Sequence, residues 1–275
     1  VGKVTYIMAF MTLWTLSCTQ ASVLEEKRES FVKISKETTF TPCKKRKKKK
    51  EKCELEPLLI LGATGSGSVV ATNSLGSFIL TAEHVCEDVA EDHRFIDTLS
   101  KQFLNKKKRF KIHTKYRATS FEGRVVPLDI IGTDVDLDVC IVFAEGLHAK
   151  PLKRYYGELS VGEEYYNIAA PMGLFEPGMV PILEGRYLGQ LSPYRVAYSI
   201  PAIGGSSGSP VIDDKGRLVG MIHSILPRFG HISYGPTLNR LNEFIDSTIE
   251  DYHDKWYKNL LHLTRPKQLL RGESG

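Results

Sequence analysis

Between residues 58 and 234 short apolar or alternating runs are separated by Gly, Pro and Asp, a pattern of many short strands rather than of helices. Residues 121–131, 165–170 and 195–200 are typical runs. Ser209-Pro210-Val211-Ile212, an Asp213-Asp214-Lys215-Gly216 turn and residues 217–222 predict a β-hairpin. The period changes after Pro236. Thr237 stands as an N-cap before apolar residues at helical spacing, which continue toward 256–263 as one long or two shorter helices. At the other end, residues 4–17 are largely apolar after Lys3, with Ala21 able to end a cleavage site. That length suits a secretory signal over 1–21 and is short of the ~20 apolar residues of a membrane span, so export is expected.

Composition agrees with a globular chain: 275 residues, 42% hydrophobic and 25% charged. With both tails set aside, a core of roughly 190–200 residues suits one all-β unit of two packed barrels. The expected division is a basic flexible segment over 22–57, a domain over 58–248 and a helical tail over 249–275. The net charge of +5 is unevenly spread, with every residue from Lys44 to Lys50 basic and a second cluster at Lys106–Arg109. Like charges in sequence repel and stay solvated, so a flexible tether is expected. An anionic surface or polymer is the candidate partner of Lys44–Lys50. No stacking-aromatic pattern accompanies either cluster, and no nucleic-acid fold is expected.

Of the cysteines, Cys43 and Cys53 bracket the basic run and could close a disulfide loop after export, while Cys86 and Cys140 read as buried thiols. There is no His-Glu-x-x-His and no paired Cys-x-x-Cys, so neither a metal nor another cofactor is expected.

The chemistry concentrates in three places. Gly205-Ser206-Ser207-Gly208-Ser209-Pro210 sets a serine between glycines, Thr81-Ala82-Glu83-His84 ends an apolar run on a histidine, and Asp138 opens the apolar run 139–142. A serine hydroxyl needs an imidazole to take its proton, and the imidazole needs a carboxylate to fix its tautomer. The order His84, Asp138, Ser207 makes Ser207 the nucleophile, His84 the base and Asp138 its orienter, with the Gly205 and Ser207 N–H groups as oxyanion donors. Asp136 is the weaker alternative, since it would leave Asp138 unpaired inside a strand. Gly204-Gly205-Ser206-Ser207-Gly208 also fits a nucleophile elbow on Ser206, but that motif requires a helix where the hairpin is predicted.

These motifs resemble the trypsin-like serine peptidases of the chymotrypsin fold, nearest to the Htr-type and glutamyl-endopeptidase branch. The resemblance rests on residues 65–70, 76–85, 131–134, 138–142, 161–173, 205–210 and 216–220, and runs from about 58 to about 245. It implies two six-stranded antiparallel β-barrels with a C-terminal helix, and a serine endopeptidase acting on polypeptide substrates. By the same resemblance the segment Ile222, His223 and Ser224 walls the primary specificity pocket. Glutamyl endopeptidases carry a histidine two residues after the pocket glycine, whereas His223 is three after Gly220. Side chains alternate along a strand, so this offset turns His223 toward Asp138 and gives the pocket to Ile222 unless a bulge intervenes. Small or apolar cleavage-site residues stand beside glutamate as alternatives. Htr-type proteases commonly carry a PDZ domain after the protease, and the roughly 25–30 residues expected after the protease domain are too few for one. The reading from a different class is a catalytically silent module of the same fold that binds an anionic partner through its lysines.

Overall fold

The computed structural model describes residues 23–44, 52–87, 93–103 and 108–264. Lys45–Lys50 and residues 1–21, where a signal segment is expected, lie outside them. Two curled antiparallel sheets make up the body. The first contains β1 (Phe31–Lys44), β2 (Lys52–Cys53), β3 (Leu59–Thr72), β4 (Gly76–Thr81), β5 (Lys108–Ser120), β6 (Val125–Pro127), β7 (Asp129–Asp134) and β8 (Val139–Glu145). Its order is β6-β5-β1-β3-β4-β8-β7, with β2 paired to β1. The second contains β9 (Glu164–Ile168), β10 (Ile182–Ser192), β11 (Arg195–Tyr198), β12 (Ser209–Ile212), β13 (Leu218–Ile222), β14 (Ser224–Leu226) and β15 (Phe229–Pro236), in the order β13-β12-β9-β10-β11-β15-β14.

Each sheet has edge strands that are consecutive in the chain. Leu128 alone separates β6 from β7, and His223 alone separates β13 from β14. One bent strand therefore serves both edges of each sheet and curls it toward a barrel. Counted as one strand, it leaves six around each sheet, apart from the two-residue β2. The bends are hydrogen-bonded: Leu128 N–H donates to Tyr116 O at 3.1 Å and His223 N–H to Tyr234 O at 3.0 Å.

Residues 23–44 and 52–57 differ from the expected flexible segment. β1 runs through the middle of the first sheet, between β3 and β5, because Val32, Ile34, Thr38 and Phe40 alternate inward and are buried. Cys43 and Cys53 face each other across β1 and β2 and form a disulfide, so the basic run connects two paired strands rather than preceding the body. Cys86 and Cys140 are not free thiols: they form a second disulfide.

The helix after Thr237 is continuous, Leu238–Thr264 (here α3), and the boundary expected at 248 falls inside it. Although it follows the second sheet, it docks on the first. Leu241 and Ile245 are fully buried, and the Tyr252 ring sits 5.2 Å from Phe78 and 5.3 Å from Phe143, centroid to centroid. That lid explains why β4 is buried along its whole length, including both of its faces. Two short helices complete the first half: α1 (Glu83–Cys86) and α2 (His93–Phe103).

Candidate active site

His84 lies on the single turn of α1, directly after the buried strand β4. Asp138 ends a turn before the equally buried β8. Because β4 and β8 are hydrogen-bonded neighbours, the two side chains emerge side by side at one end of the sheet. His84 Nδ1 lies 3.0 Å from both Asp138 carboxylate oxygens, and the His84 backbone N–H donates to Oδ1 at 3.1 Å. A carboxylate can only accept, so the imidazole proton sits on Nδ1 and Nε2 keeps its lone pair.

The turn before Asp138 sorts the neighbouring acids. Asp134 Oδ1 accepts the Leu137 N–H at 3.0 Å and holds the turn, whereas Asp136 is exposed. Asp138 itself has φ +52, a left-handed conformation that costs a non-glycine residue energy and is kept here by its surroundings.

Ser207 comes from the other sheet, on the loop leading into β12. Gly205 (φ +94) and Gly208 (φ +86) supply left-handed angles on either side of it. A Cβ at Gly205 would lie 2.5 Å from the Ala170 carbonyl oxygen. Ser206 is 1% exposed and its Oγ accepts the Ile203 N–H, whereas Ser207 is half-buried; both line the cleft. A β-hairpin, β12 with β13, follows the loop in place of the helix that an elbow on Ser206 would need.

The model for the trypsin-like peptidase domain matches residues 65–221, more than half of the chain. The chain belongs to that family. Among solved structures it is similar to the serine endoprotease from Yersinia pestis, with a TM-score of 0.57 and 14% identity over 84% of this chain and 67% of that one. That likeness is one of fold. No curated protein matches significantly.

In this trypsin-like peptidase the two halves of the site are locked together by a residue that the motifs did not single out. Ser66 on β3, fully buried, donates its Oγ–H to Gly205 O at 2.8 Å and accepts the Ala170 N–H at 3.0 Å, while its N–H donates to Ser207 O at 2.8 Å. Thr81 Oγ1 in turn donates to Ser66 O at 2.8 Å. The signal was a serine at an inward position of a glycine-rich strand, which composition cannot distinguish from a surface hydroxyl. Among the described residues, neither the Gly205 nor the Ser207 N–H has an acceptor within the protein. Ser207 Oγ donates to His223 O at 3.4 Å.

A cleft of about 370 Å³ opens beside Ser207, walled by Ala202, Ile203, Ile222, His223, Ser224 and Ile225. Among the described residues its walls include no Lys or Arg, and the acid among them is Asp138. Ile222 is a buried part of that wall, while His223 lies beside Asp138, with Nδ1 3.4 Å from Oδ2. That contact falls within ion-pair distance without forming a hydrogen bond, and His223 Nδ1 has no partner among the described residues.

Electrostatics divide the two histidines. The hydrogen bond that His84 donates to Asp138 raises the His84 pKa above its ordinary value, against the opposing effect of burial. Burial pushes the His223 imidazole down to about 4, so it is neutral at physiological pH and carries no cation into the peptidase cleft. Burial also pushes the Asp138 carboxyl up, but the hydrogen bonds and charge of His84 outweigh it and hold it below the ordinary carboxylate value.

Proposed function

We propose that this peptidase is a serine endopeptidase using His84, Asp138 and Ser207 and passing through an acyl-enzyme. The observation that carries the proposal is the His84–Asp138 pair at 3.0 Å, which lines the same cleft as Ser207. His84 Nε2 takes the Ser207 proton as Oγ adds to the scissile carbonyl, and Asp138 stabilises the imidazolium that forms. The Gly205 and Ser207 N–H groups receive the oxyanion, each worth roughly 2.7–4 kcal/mol. The imidazolium then protonates the leaving amine, leaving the acyl group on Ser207 Oγ. Water activated by the same imidazole releases it.

The cleft favours an apolar side chain before the scissile bond. Ala202, Ile203, Ile222 and Ile225 offer only apolar contact, and His223, neutral and turned to Asp138, supplies no charge for a glutamate. Export is proposed with it, supported by two disulfides, which persist in oxidising compartments. Among the described residues no helix is long and apolar enough to cross a membrane.

Labelling with a fluorophosphonate probe tests the nucleophile. Labelling retained in Ser206→Ala and lost in Ser207→Ala is expected. A folded wild type that does not label would favour the silent binding module instead. Profiling of labelled-competent protein on a peptide library then reads specificity: cleavage after aliphatic residues is expected, and preferential cleavage after Glu would refute the reading of the cleft.

A further inference from the structure

Strand β5 has a chemical sidedness that its motif content does not announce. Arg109, Lys111, His113, Lys115 and Arg117 occupy alternate positions along it, and all five are exposed. Alternate residues of a strand share a face, ~6.8 Å apart, so the stripe runs ~27 Å from Arg109 to Arg117. The other face holds the strand in place. Phe110 packs edge-on to Phe40 at 5.7 Å, Thr114 meets Thr38 at 3.2 Å, and Tyr116 donates its OH to Cys86 O at 2.8 Å.

The stripe has little internal compensation. No acid occurs in β5, β3 or β6, and the one acid of β1, Glu37, lies opposite Lys115. Among the described residues no ion pair engages Lys111, Lys115 or Arg117. Edge strands are often blunted by a charge, and from 108 to 115 β5 lacks a strand on its outer side. A single lysine achieves that. Lys111, Lys115 and Arg117, like charges with the single carboxylate of Glu37 opposite them, cost stability through self-repulsion and suit an external polyanion.

We propose that this outer face of β5 binds a linear sulfated polysaccharide. The exposed face carries no aromatic on β5 for base stacking, since Phe110 and Tyr116 point the other way, which disfavours single-stranded nucleic acid. The disulfides suit the oxidising compartments in which sulfated glycans occur. Tyr116 also fixes the geometry relative to the cleft. It reaches α1, which bears His84, from the face opposite the stripe, so a bound polymer leaves the catalytic cleft open and serves as an anchor. The sequence runs 45–51 and 104–107 lie outside the described residues and form no part of this site.

The test is anisotropy of a fluorescent heparin oligosaccharide with the full chain over a salt series, beside a Lys111→Gln/Lys115→Gln/Arg117→Gln variant. The triple variant is expected to bind at least about tenfold more weakly near 0.15 M salt, with the slope of log affinity on log salt shallower by about three, ~0.9 per cation removed. Hydrolysis of a short peptide should stay at its wild-type value, and the melting temperature should not fall, since the substitutions relieve self-repulsion. Wild-type affinity in the triple variant would overturn the proposal, including the case in which affinity is lost only on Gln replacement of Lys44–Lys50. A single-stranded DNA of equal charge binding more tightly than the oligosaccharide would overturn the assignment to a glycan.

Discussion

Cys86 stands two residues after His84, Cys140 stands two residues after Asp138, and a disulfide joins them. The four-residue helix α1 is too short to hold its own orientation, since helices of this length are unstable alone. Its place is set by tethers: the disulfide to β8, the Tyr116 hydroxyl on Cys86 O, and the Lys36 ammonium on Glu87 O at 2.6 Å. The segments bearing His84 and Asp138 are thereby fixed to each other covalently as well as by hydrogen bonds.

Replacing both cysteines (Cys86→Ala/Cys140→Ala) is expected to lower stability by about 4 kcal/mol, from the loop-closure entropy of a 54-residue separation. Peptidase activity should fall through kcat with KM little changed, because the cleft beside Ser207 is built from the other sheet. Urea unfolding and steady-state kinetics on the same variant check both. Unchanged kcat would show that the hydrogen bonds alone position His84.

As the proposed base, His84 works only when neutral, so activity is expected to rise with pH through its pKa. That pKa is raised by Asp138, so the acid limb of kcat/KM should have its midpoint above 6.5. In Asp138→Asn the midpoint should move down and kcat should drop on the order of 10⁴-fold. Linkage has the matching sign. The stabilisation from His84 is complete below pH 6.5 and is lost as pH rises through its folded pKa, whereas that from ionised Asp138 is lost as pH falls below 3.8. A pH–rate profile of wild type and Asp138→Asn tests this.

His223 behaves oppositely. Its pKa falls from 6.5 to about 4 on folding, so the unfolded chain binds the extra proton between those values. Stability should decline by about 3 kcal/mol as pH drops through that window, and His223→Gln should flatten the decline. Denaturant midpoints at pH 7 and pH 4.5 give the answer. An equal loss in the variant would assign the decline to other groups.

Gly208→Ala should be among the most damaging small substitutions. A Cβ there would overlap the Ser66 carbonyl oxygen and Thr81 Oγ1, at a φ of +86 that disfavours any side chain. The substitution would push the Ser207 loop off β3, so loss of activity together with several kcal/mol of stability is expected. Thermal melts beside Gly162→Ala, a positive-φ glycine with nothing within 4 Å of its Cβ, separate strain from collision.

The strands with alternating or continuous apolar runs could be read from the sequence because burial imposes period and composition locally. Strand β1 was hidden by its neighbour. Its inward set Val32, Ile34, Thr38 and Phe40 is regular, but the adjoining lysines make the whole segment read as solvated. His223 could be placed beside Asp138 from the resemblance to glutamyl endopeptidases together with strand alternation, since a one-residue offset changes face.

The sequence by itself determined the β class, the helix after Thr237, and the residue types of a peptidase site, because each is set by local periodicity or by short motifs. Only the tertiary structure decided which partners those residues meet. The Cys86–Cys140 link, the Ser66 clamp across the two sheets, the docking of the last helix on the first sheet and the five-residue basic face of β5 all join positions far apart in the chain or depend on which side of a strand is covered. Those are properties of pairing register and burial, and no local pattern specifies them.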